Sequence, residues 1–273
     1  HYENFPVVSK FLKKDIRKYV AAIYVFARTA DDIVDEGDLP VEKRIDKIDE
    51  FKTSFEESLR GERDDWFWQV IRDTILKNEL TVSLFTDLLD AFKQDLTVNR
   101  FENFAEICHY CKRSANPIGR LLLELHGIKN EKANKLSDKI CTALQLINFY
   151  QDLSIDFKRD RLYIPLQEIS DFKLKIESLD KVIFTPEFKE LMKYQVDRAD
   201  KMIREGAELL TFLNGRFRFQ IAATVLGGSK ILDQIKKLDY NTISQRPSLE
   251  KKDFLIIFSR AILDVSRIST ANF

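Results

Sequence analysis

Two pairs of aspartates, each with a spacing of four residues, are the features of this sequence best suited to chemistry. Asp31 and Asp35 form the first pair, and Asp152 and Asp156 form the second. In an α-helix, side chains four residues apart share one face, where two like charges destabilise the helix by about 0.2–0.5 kcal/mol. Cations would relieve that repulsion, and hard oxygen ligands that leave room for phosphate oxygens suit Mg²⁺. The spacing therefore predicts a site for Mg²⁺ and a diphosphate.

The first aspartate pair belongs to a longer polar row. Tyr24, Arg28, Asp31 and Asp35 are spaced by four, three and four residues, which puts them on one helix face. Arg28 could either pair with the acids or reach a phosphate. Residues 19–27 are almost all apolar, which predicts a helix that is buried on most sides. We therefore expect this carboxylate pair to project into the interior of a bundle, where unpaired charge is costly.

The second pair extends in the same way. Gln145, Asn148, Asp152 and Asp156 are spaced by three, four and four residues. An amide oxygen is also a hard ligand, so Asn148, Asp152 and Asp156 could supply three groups to Mg²⁺. One such aspartate spacing arises often by chance. Two of them on predicted core helices, each extended by polar residues, make the prediction of a site considerably stronger.

A basic segment follows the second pair directly. Residues 158–165 break the helix and carry three cations, Lys158, Arg159 and Arg161. Lysine neutralises phosphate as a point charge, whereas arginine can bind it as a bidentate fork. A basic loop beside an acidic metal site is consistent with both gripping one polyanion. The alternative is an ordinary solvated loop.

The elements that must position these residues are predicted to be helices throughout. Glycine and proline are few, at eight and six, and many of them fall between apolar-periodic segments. Alternating strand patterns are missing, so the fold class is all-α. We expect one large domain over residues 1–273. The predicted helices cover residues 14–36, 41–59, 65–78, 81–97, 103–126, 130–157, 187–213, 216–238 and 249–270.

Composition excludes several classes of function. Lysine plus arginine equals aspartate plus glutamate, at 44 each, which argues against a nucleic-acid partner. Cys108 and Cys111 lack the second ligand pair of a zinc site and are expected to be structural thiols. No run approaches the roughly 18 apolar residues that span a bilayer. Without a signal peptide either, the expected location is the cytoplasm. The apolar run 254–258 is interpreted as core, with a membrane-facing patch at the inner membrane surface as the alternative.

The motifs as a set resemble a known family. Residues 28–35 (RTADDIVD), 145–156 (QLINFYQDLSID) and 161–165 (RLYIP) resemble the squalene/phytoene synthases, in the right order along nearly the whole chain. Those enzymes have the all-α isoprenoid synthase fold, a helical bundle with a central cavity. Residues 1–7 (HYENFPV) and 110–119 (YCKRSANPIG), with Gln151 before Asp152, resemble the bacterial hydroxysqualene synthase branch of the family.

The resemblance implies a reaction and a role for each residue. Enzymes of this branch ionise presqualene diphosphate with Mg²⁺ and quench the rearranged carbocation with water, giving hydroxysqualene. A pathway partner would supply the presqualene diphosphate. Tyr110 would lie near the reacting carbons together with Tyr24, and Asn116 is a candidate to position the water. The metal ligands would be Asp31, Asp35, Asn148, Asp152 and Asp156, and the substrate would be bound by His1, Arg28, Gln145, Arg161 and Tyr163.

Other functions are weighed against this one. The nearest is a coupling synthase that joins two farnesyl diphosphates into presqualene diphosphate or squalene. Coupling relatives carry Ser-x-Ser after the position of His1, often an arginine at that of Gln151, and Val-Ala-Gly near the tyrosine. This chain has Tyr-Glu-Asn, a neutral glutamine and the different segment 114–117 at those positions. A di-iron carboxylate bundle needs Glu-x-x-His pairs, which are missing from the sequence. A non-catalytic scaffold would not explain two acidic faces on core helices.

Overall fold

A computed structural model describes residues 14–35, 39–63, 65–174 and 184–269, with side chains of the last helix described as far as residue 263. Every regular element in these ranges is helical. The α-helices are α1 Arg17–Asp35, α2 Val41–Arg60, α3 Trp66–Asn78, α4 Val82–Asp95, α5 Phe104–Ser114, α6 Asn116–Leu125, α7 Glu131–Gln151, α8 Leu153–Lys158, α9 Leu166–Asp171, α10 Pro186–Gly206, α11 Gly215–Lys237 and α12 Lys251–Ser269, and a 3₁₀ helix spans Ala207–Phe212.

The described residues fall into two compact units. One comprises those within 14–99 and 109–134, and the other comprises those within 100–108 and 135–269. The division falls inside α5 and near the start of α7, so neither unit is one continuous stretch of chain. The single domain over 1–273 stays a prediction.

The core of the first unit is an aromatic cluster. Phe26 of α1 is fully buried, and its ring centroid lies 5.4 Å from that of Phe51 and 5.2 Å from those of Phe55 and Phe85. These tilted and edge-on contacts place α2 and α4 against one face of α1. The exposed fractions of Tyr24 and Val25 on α1 are 47% and 44%. The expectation that this helix is buried on most sides was therefore wrong: its apolar run covers both a packed face and an open one.

Two glycines show how closely three helices of the second unit approach. A Cβ built on Gly206 of α10 would lie 2.7 Å from Cγ1 and 3.0 Å from the backbone nitrogen of Ile140 in α7. A Cβ on Gly228 of α11 would lie 2.8 Å from both Ile203 of α10 and Leu144 of α7. Real Cβ atoms do not tolerate such distances in a close-packed interior. Helices α7 and α10 therefore meet at a position where only glycine fits, and α11 packs closely against both at Gly228. Helix α7 leads directly to the second acidic motif.

A half-buried ion pair ties α7, α9 and α10 together. Arg198 binds Glu168 through two parallel contacts of 2.5 and 3.0 Å, and its guanidinium lies 3.6 Å from the ring centroid of Phe104. Tyr150 donates a 2.9 Å hydrogen bond to the side-chain Oε1 of Gln195, which also accepts from Arg198. Burial alone would lower the pKa of Arg198, but the hydrogen bonds that it donates to Glu168, together with its interactions with the Glu168 charge and with Tyr150, outweigh burial, so the pKa is raised. The network fixes the helix turn just before Gln151.

All nine helical segments predicted from sequence are confirmed, with three internal changes. Residues 103–126 form α5 and α6 with a break at Ala115, and residues 130–157 form α7 and α8 with a break at Asp152. The end of the segment 187–213 is a 3₁₀ helix. The short helix α9 was missed, because six residues are too few to show periodicity.

Candidate active site

The first acidic motif occupies the last turns of α1. Arg28 pairs with Asp31 at 2.9 Å and with Asp32 at 2.6 Å, three and four residues along the helix. All three side chains are about one-third exposed, so they lie at a surface and not in a sealed interior. Of the two roles considered for Arg28, pairing with the acids is the one seen here. Asp35, the last residue of α1, shares the face of Asp31 one turn on.

The end of α1 is held in place by a cation from α2. Arg44 donates a 2.9 Å hydrogen bond to the carbonyl oxygen of Val34. The last carbonyl groups of a helix have no partner inside it, and a cation there also opposes the helix dipole. Arg44 thus fixes the turn that carries Asp35.

The second acidic motif spans the junction of α7 and α8. Asp152 lies between the two helices with φ −99° and ψ 9°. Its backbone N–H still donates to the Asn148 carbonyl at 2.9 Å, and the Asp156 N–H donates to the Asp152 carbonyl at 2.9 Å. The four-residue ladder therefore continues through the break. Asn148, Asp152 and Asp156 lie one turn apart along one face, as the spacing predicts, with Gln145 half-buried a turn before Asn148.

Asp152 is the most deeply buried of the predicted metal ligands that the structure describes, with 2% exposure. Its Oδ1 accepts a hydrogen bond from Nε of Arg246 at 2.5 Å, an ion pair across 94 residues of sequence. Its Oδ2 is buried and has no hydrogen-bond partner among the described residues. An unsatisfied buried carboxylate oxygen costs free energy unless a further group binds it. This half-satisfied carboxylate is the clearest sign in the second unit of a place for a ligand.

The neighbouring residue, Gln151, is also buried at 2% exposure. Its Nε2 donates a 2.7 Å hydrogen bond to the carbonyl oxygen of Pro247, directly after Arg246. Residues 151 and 152 therefore both hold the segment 246–247. Sequence reasoning missed Arg246, because a single arginine in a turn-rich segment 94 residues away looks like any solvated cation. Its place before a proline, which favours extended backbone, was the only signal.

The basic segment after α8 is only partly a basic loop. Leu162, Tyr163, Ile164 and Pro165 are buried, so the alternative of a solvated loop fails for its second half. The Tyr163 ring stacks on Phe149 of α7 with centroids 3.7 Å apart and an interplanar angle of 1°. This stack, with Phe101 a further 5.8 Å away on Tyr163, forms an apolar wall beside the second acidic motif.

The cations of that segment differ in their surroundings. Lys158 and Arg159 are exposed, whereas Arg161 is half-buried, and its backbone N–H donates to the Asp156 carbonyl at 2.9 Å. Asp160 adopts a left-handed conformation with φ 57° and is bound through its carbonyl oxygen and its carboxylate by Arg100. The turn is therefore fixed from outside, and Arg161 follows it directly beside Asp156.

Two of the predicted catalytic residues lie in the first unit near the break between α5 and α6. Tyr110 is 4% exposed, and its hydroxyl donates a 3.1 Å hydrogen bond to Asp95. Asn116 is 6% exposed and begins α6, immediately before Pro117. Proline suits the first turn of a helix, so the pair restarts the helix after Ala115. Tyr24 lies on the open face of α1, and His1 lies outside the described residues.

The oxygen donors of the two motifs fit a Mg²⁺ site that water and substrate phosphates complete. In the part of the chain that the structure describes, no three histidine, cysteine, aspartate or glutamate side chains lie close enough to hold a metal by themselves. Mg²⁺ is usually held by one or two carboxylates together with water and substrate phosphates, not by an all-protein cage. The carboxylates of both motifs, the Asn148 amide and the unpartnered Oδ2 of Asp152 match that donor chemistry.

The sequence is similar to those of known enzymes in one family. The family model described as squalene/phytoene synthase matches residues 1–253. A hydroxysqualene synthase from Zymomonas mobilis is 36% identical over 166 residues, which is 60% of this chain and 54% of that enzyme, so the chain spans about half of that relative's length. Phytoene synthase 2 from Solanum lycopersicum is 27% identical over 260 residues, covering 93% of this chain and 84% of that protein.

Among solved structures, squalene synthase HpnC from Alicyclobacillus acidocaldarius superposes with a TM-score of 0.83. The sequences are 30% identical, and the match covers 88% of this chain and 90% of that one. The similarity extends over both compact units and confirms the all-α isoprenoid synthase fold.

Proposed function

Because the chain belongs to the squalene/phytoene synthase family, we propose that it is a hydroxysqualene synthase, which converts presqualene diphosphate and water into hydroxysqualene and diphosphate with Mg²⁺. The observation that carries this choice within the family is Gln151. Coupling relatives often place an arginine here. In this chain the side chain is neutral, buried and committed to the Pro247 carbonyl, so it adds no positive charge for a second diphosphate.

The metal would be held by oxygen ligands of both acidic motifs. When bound, Mg²⁺ neutralises the charge that develops on a departing diphosphate. The residues that would hold it are Asp31, Asp35, Asn148, Asp152 and Asp156.

Arg246 would act as a positioning residue for Asp152. By binding Oδ1, it fixes the carboxylate plane and leaves Oδ2 available to a further ligand. A metal ligand that is held by a hydrogen bond is already oriented before substrate binds, so less free energy is spent on reorganisation during the reaction. Arg161, beside Asp156, would bind phosphate oxygens through its guanidinium.

The apolar wall of Tyr163, Phe149 and Phe101 would face the hydrocarbon and keep bulk water from the reacting centre. Aromatic faces also stabilise a carbocation by quadrupole attraction. In the reaction, the carbon–oxygen bond to diphosphate breaks and its electron pair leaves with the diphosphate. A water oxygen then bonds to the rearranged cation and loses one proton, which the diphosphate accepts.

We propose that a residue of the first unit orients this single water molecule. Asn116 is buried and polar, so its amide can orient a water molecule by hydrogen bonding. Tyr110, held by Asp95, would lie near the reacting carbons, together with Tyr24 on the face of α1 that also carries Arg28. His1 and Gln145 would complete the substrate contacts.

The second candidate is coupling of two farnesyl diphosphates to presqualene diphosphate or squalene. The match to a phytoene synthase along 93% of this chain favours it, because it extends over the same motifs. The two functions differ in the number of diphosphates that the site must hold at once. The two functions can therefore be distinguished by which of the two substrates, presqualene diphosphate or farnesyl diphosphate, the protein converts.

The test offers purified protein and Mg²⁺ either presqualene diphosphate or farnesyl diphosphate, without a nicotinamide cofactor, and identifies the products by mass. Hydroxysqualene from the first substrate and no product from the second supports the proposal. Presqualene diphosphate formed from farnesyl diphosphate contradicts it and establishes the coupling function.

A matched pair of variants tests the metal assignment. Asp152→Asn should lower turnover by about 100-fold or more, since it removes an anionic ligand of the metal that would neutralise the departing diphosphate. Asp233→Asn makes the same change on an exposed face of α11 and should leave turnover unchanged. Equal activities of the two variants would refute a role for Asp152 as a metal ligand.

A further inference from the structure

The outward face of α12 carries a group of exposed aliphatic side chains, which is unusual for a helix surface that faces solvent. Within the described side chains, Asp253, Ile257 and Ala261 are buried at four-residue spacing and form the packed face. The opposite face carries four large aliphatic side chains with exposures of 42–73%: Leu255, Ile256, Ile262 and Leu263. Isolated exposed leucines are ordinary, but four on two turns of one helix form a patch.

This patch lies on a helix that is firmly attached. Asp253 is 2% exposed, forms a 3.2 Å ion pair with Lys230 of α11 and accepts a 3.1 Å hydrogen bond from Gln234. It also accepts a 2.9 Å bond from the Glu250 backbone N–H, which caps the helix start. Phe258 stacks on Phe219 of α11 at 6.0 Å. The packed face is therefore fully used, and rotating the helix to bury the aliphatic residues would break these contacts.

Within the described part of α12, the exposed charges that border the patch are cationic. Lys251, Lys252 and Arg260 are exposed beside the aliphatic side chains. Between residues 251 and 263 the sequence has only one carboxylate, Asp253, and it is buried on the packed face. Glu250, just before the helix, pairs with Lys252 at 2.8 Å and offsets part of this charge. An aliphatic face bordered by cations fits an anionic surface with an apolar interior beneath it.

We propose that the outward face of α12 docks on a lipid bilayer that contains anionic headgroups, with the helix lying in the plane of the interface. The aliphatic side chains enter the boundary between headgroups and acyl chains, and the cations contact lipid phosphates. A second copy of the chain fits less well, because two such faces related by a two-fold axis would bring like charges together. Within the described residues, no helix is long and apolar enough to cross a membrane. The proposal does not rest on the reaction assigned above.

The experiment is co-sedimentation of the full chain with vesicles of phosphatidylcholine, with or without phosphatidylglycerol. We expect binding to the anionic vesicles, weak binding to the neutral ones, and loss of binding as salt screens the lysines and arginine. The double variant Leu255→Ser/Ile262→Ser should weaken binding about tenfold or more, because each removed side chain contributes a substantial burial free energy.

Two controls keep the result specific. Leu76 on α3 is an equally exposed leucine, at 63%, and Leu76→Ser should leave vesicle binding unchanged. All three substituted residues are exposed, so the thermal midpoints should match that of the parent chain.

Binding of the parent chain to neither vesicle, or equal losses for the α12 and Leu76 variants, would overturn the proposal. Light scattering tests the competing possibility of a dimer. If the parent chain is a dimer, the double variant is a monomer and neither binds vesicles, the patch is an interface with a second copy of the chain instead.

Discussion

Removing Arg246 should destabilise the protein because it leaves Asp152 as a buried charge without its counterion. Asp152 is 2% exposed and Arg246 is one-third exposed, with 2.5 Å between Nε and Oδ1. Removing one partner of a fully buried ion pair costs about 3–5 kcal/mol. Water reaches the arginine side of this pair, so we expect about 2–3 kcal/mol for Arg246→Gln. For a protein of this size, that lowers the thermal midpoint by roughly 4–12 °C.

The assay is thermal unfolding followed by circular dichroism, with three further variants. Arg216→Gln makes the same change at an exposed position of α11 and should shift stability by less than about 0.5 kcal/mol. Asp152→Asn removes the buried charge, so in that background Arg246→Gln should cost about 1 kcal/mol or less. Destabilisation by Arg246→Gln no larger than that of Arg216→Gln would refute the reasoning. Equal costs in both backgrounds would show that Arg246 acts on something other than Asp152.

Three more predictions concern the frame that holds the site. Gly206→Ala should lower the thermal midpoint by several degrees, because its Cβ would lie 2.7 Å from Cγ1 and 3.0 Å from the backbone nitrogen of Ile140; an unchanged midpoint would refute the close approach of α10 to α7. Arg198→Met should destabilise by about 2–4 kcal/mol in denaturant unfolding, since it leaves Glu168 with a half-buried unpaired charge, and a neutral result would assign that network no energetic role. The backbone hydrogen bond from Glu250 lowers the pKa of Asp253 when folded, so its ionised form stabilises the fold. The stability lost in Asp253→Asn should therefore be full above about pH 4 and shrink as pH falls through the lowered pKa; a difference that grows on acidification would reverse the sign of this argument.

The helices and the acidic rows could be predicted from sequence because both depend on local spacing. A four-residue repeat of aspartates fixes their common face wherever the helix lies in the fold, and the hydrogen-bond ladder through Asp152 preserves that face despite the break. The burial of these rows could not be predicted in the same way. The apolar run before Asp31 looked like a core helix, yet Tyr24 and Val25 are nearly half exposed, because burial depends on which neighbours pack against a helix.

Long-range pairing was the part that sequence reasoning could not supply. Arg246 lies 94 residues from Asp152, and no period or spacing connects them. The role of Gln151 could be predicted only in part: the sequence shows that its side chain is neutral, but not that it donates a hydrogen bond to the Pro247 carbonyl oxygen. Asn116 was assigned a catalytic role with a helix kink as the alternative. The structure shows that it does begin a helix after a break, while its contact with water stays a prediction.

The central claim is that one water molecule is added to a cation formed from a single diphosphate. The most direct test is turnover of presqualene diphosphate with Mg²⁺ in ¹⁸O-labelled water, with the alcohol product analysed by mass spectrometry. The account predicts hydroxysqualene carrying one labelled oxygen, in equal amount to the diphosphate released. A hydrocarbon product without oxygen, or an alcohol whose oxygen is unlabelled, would contradict it.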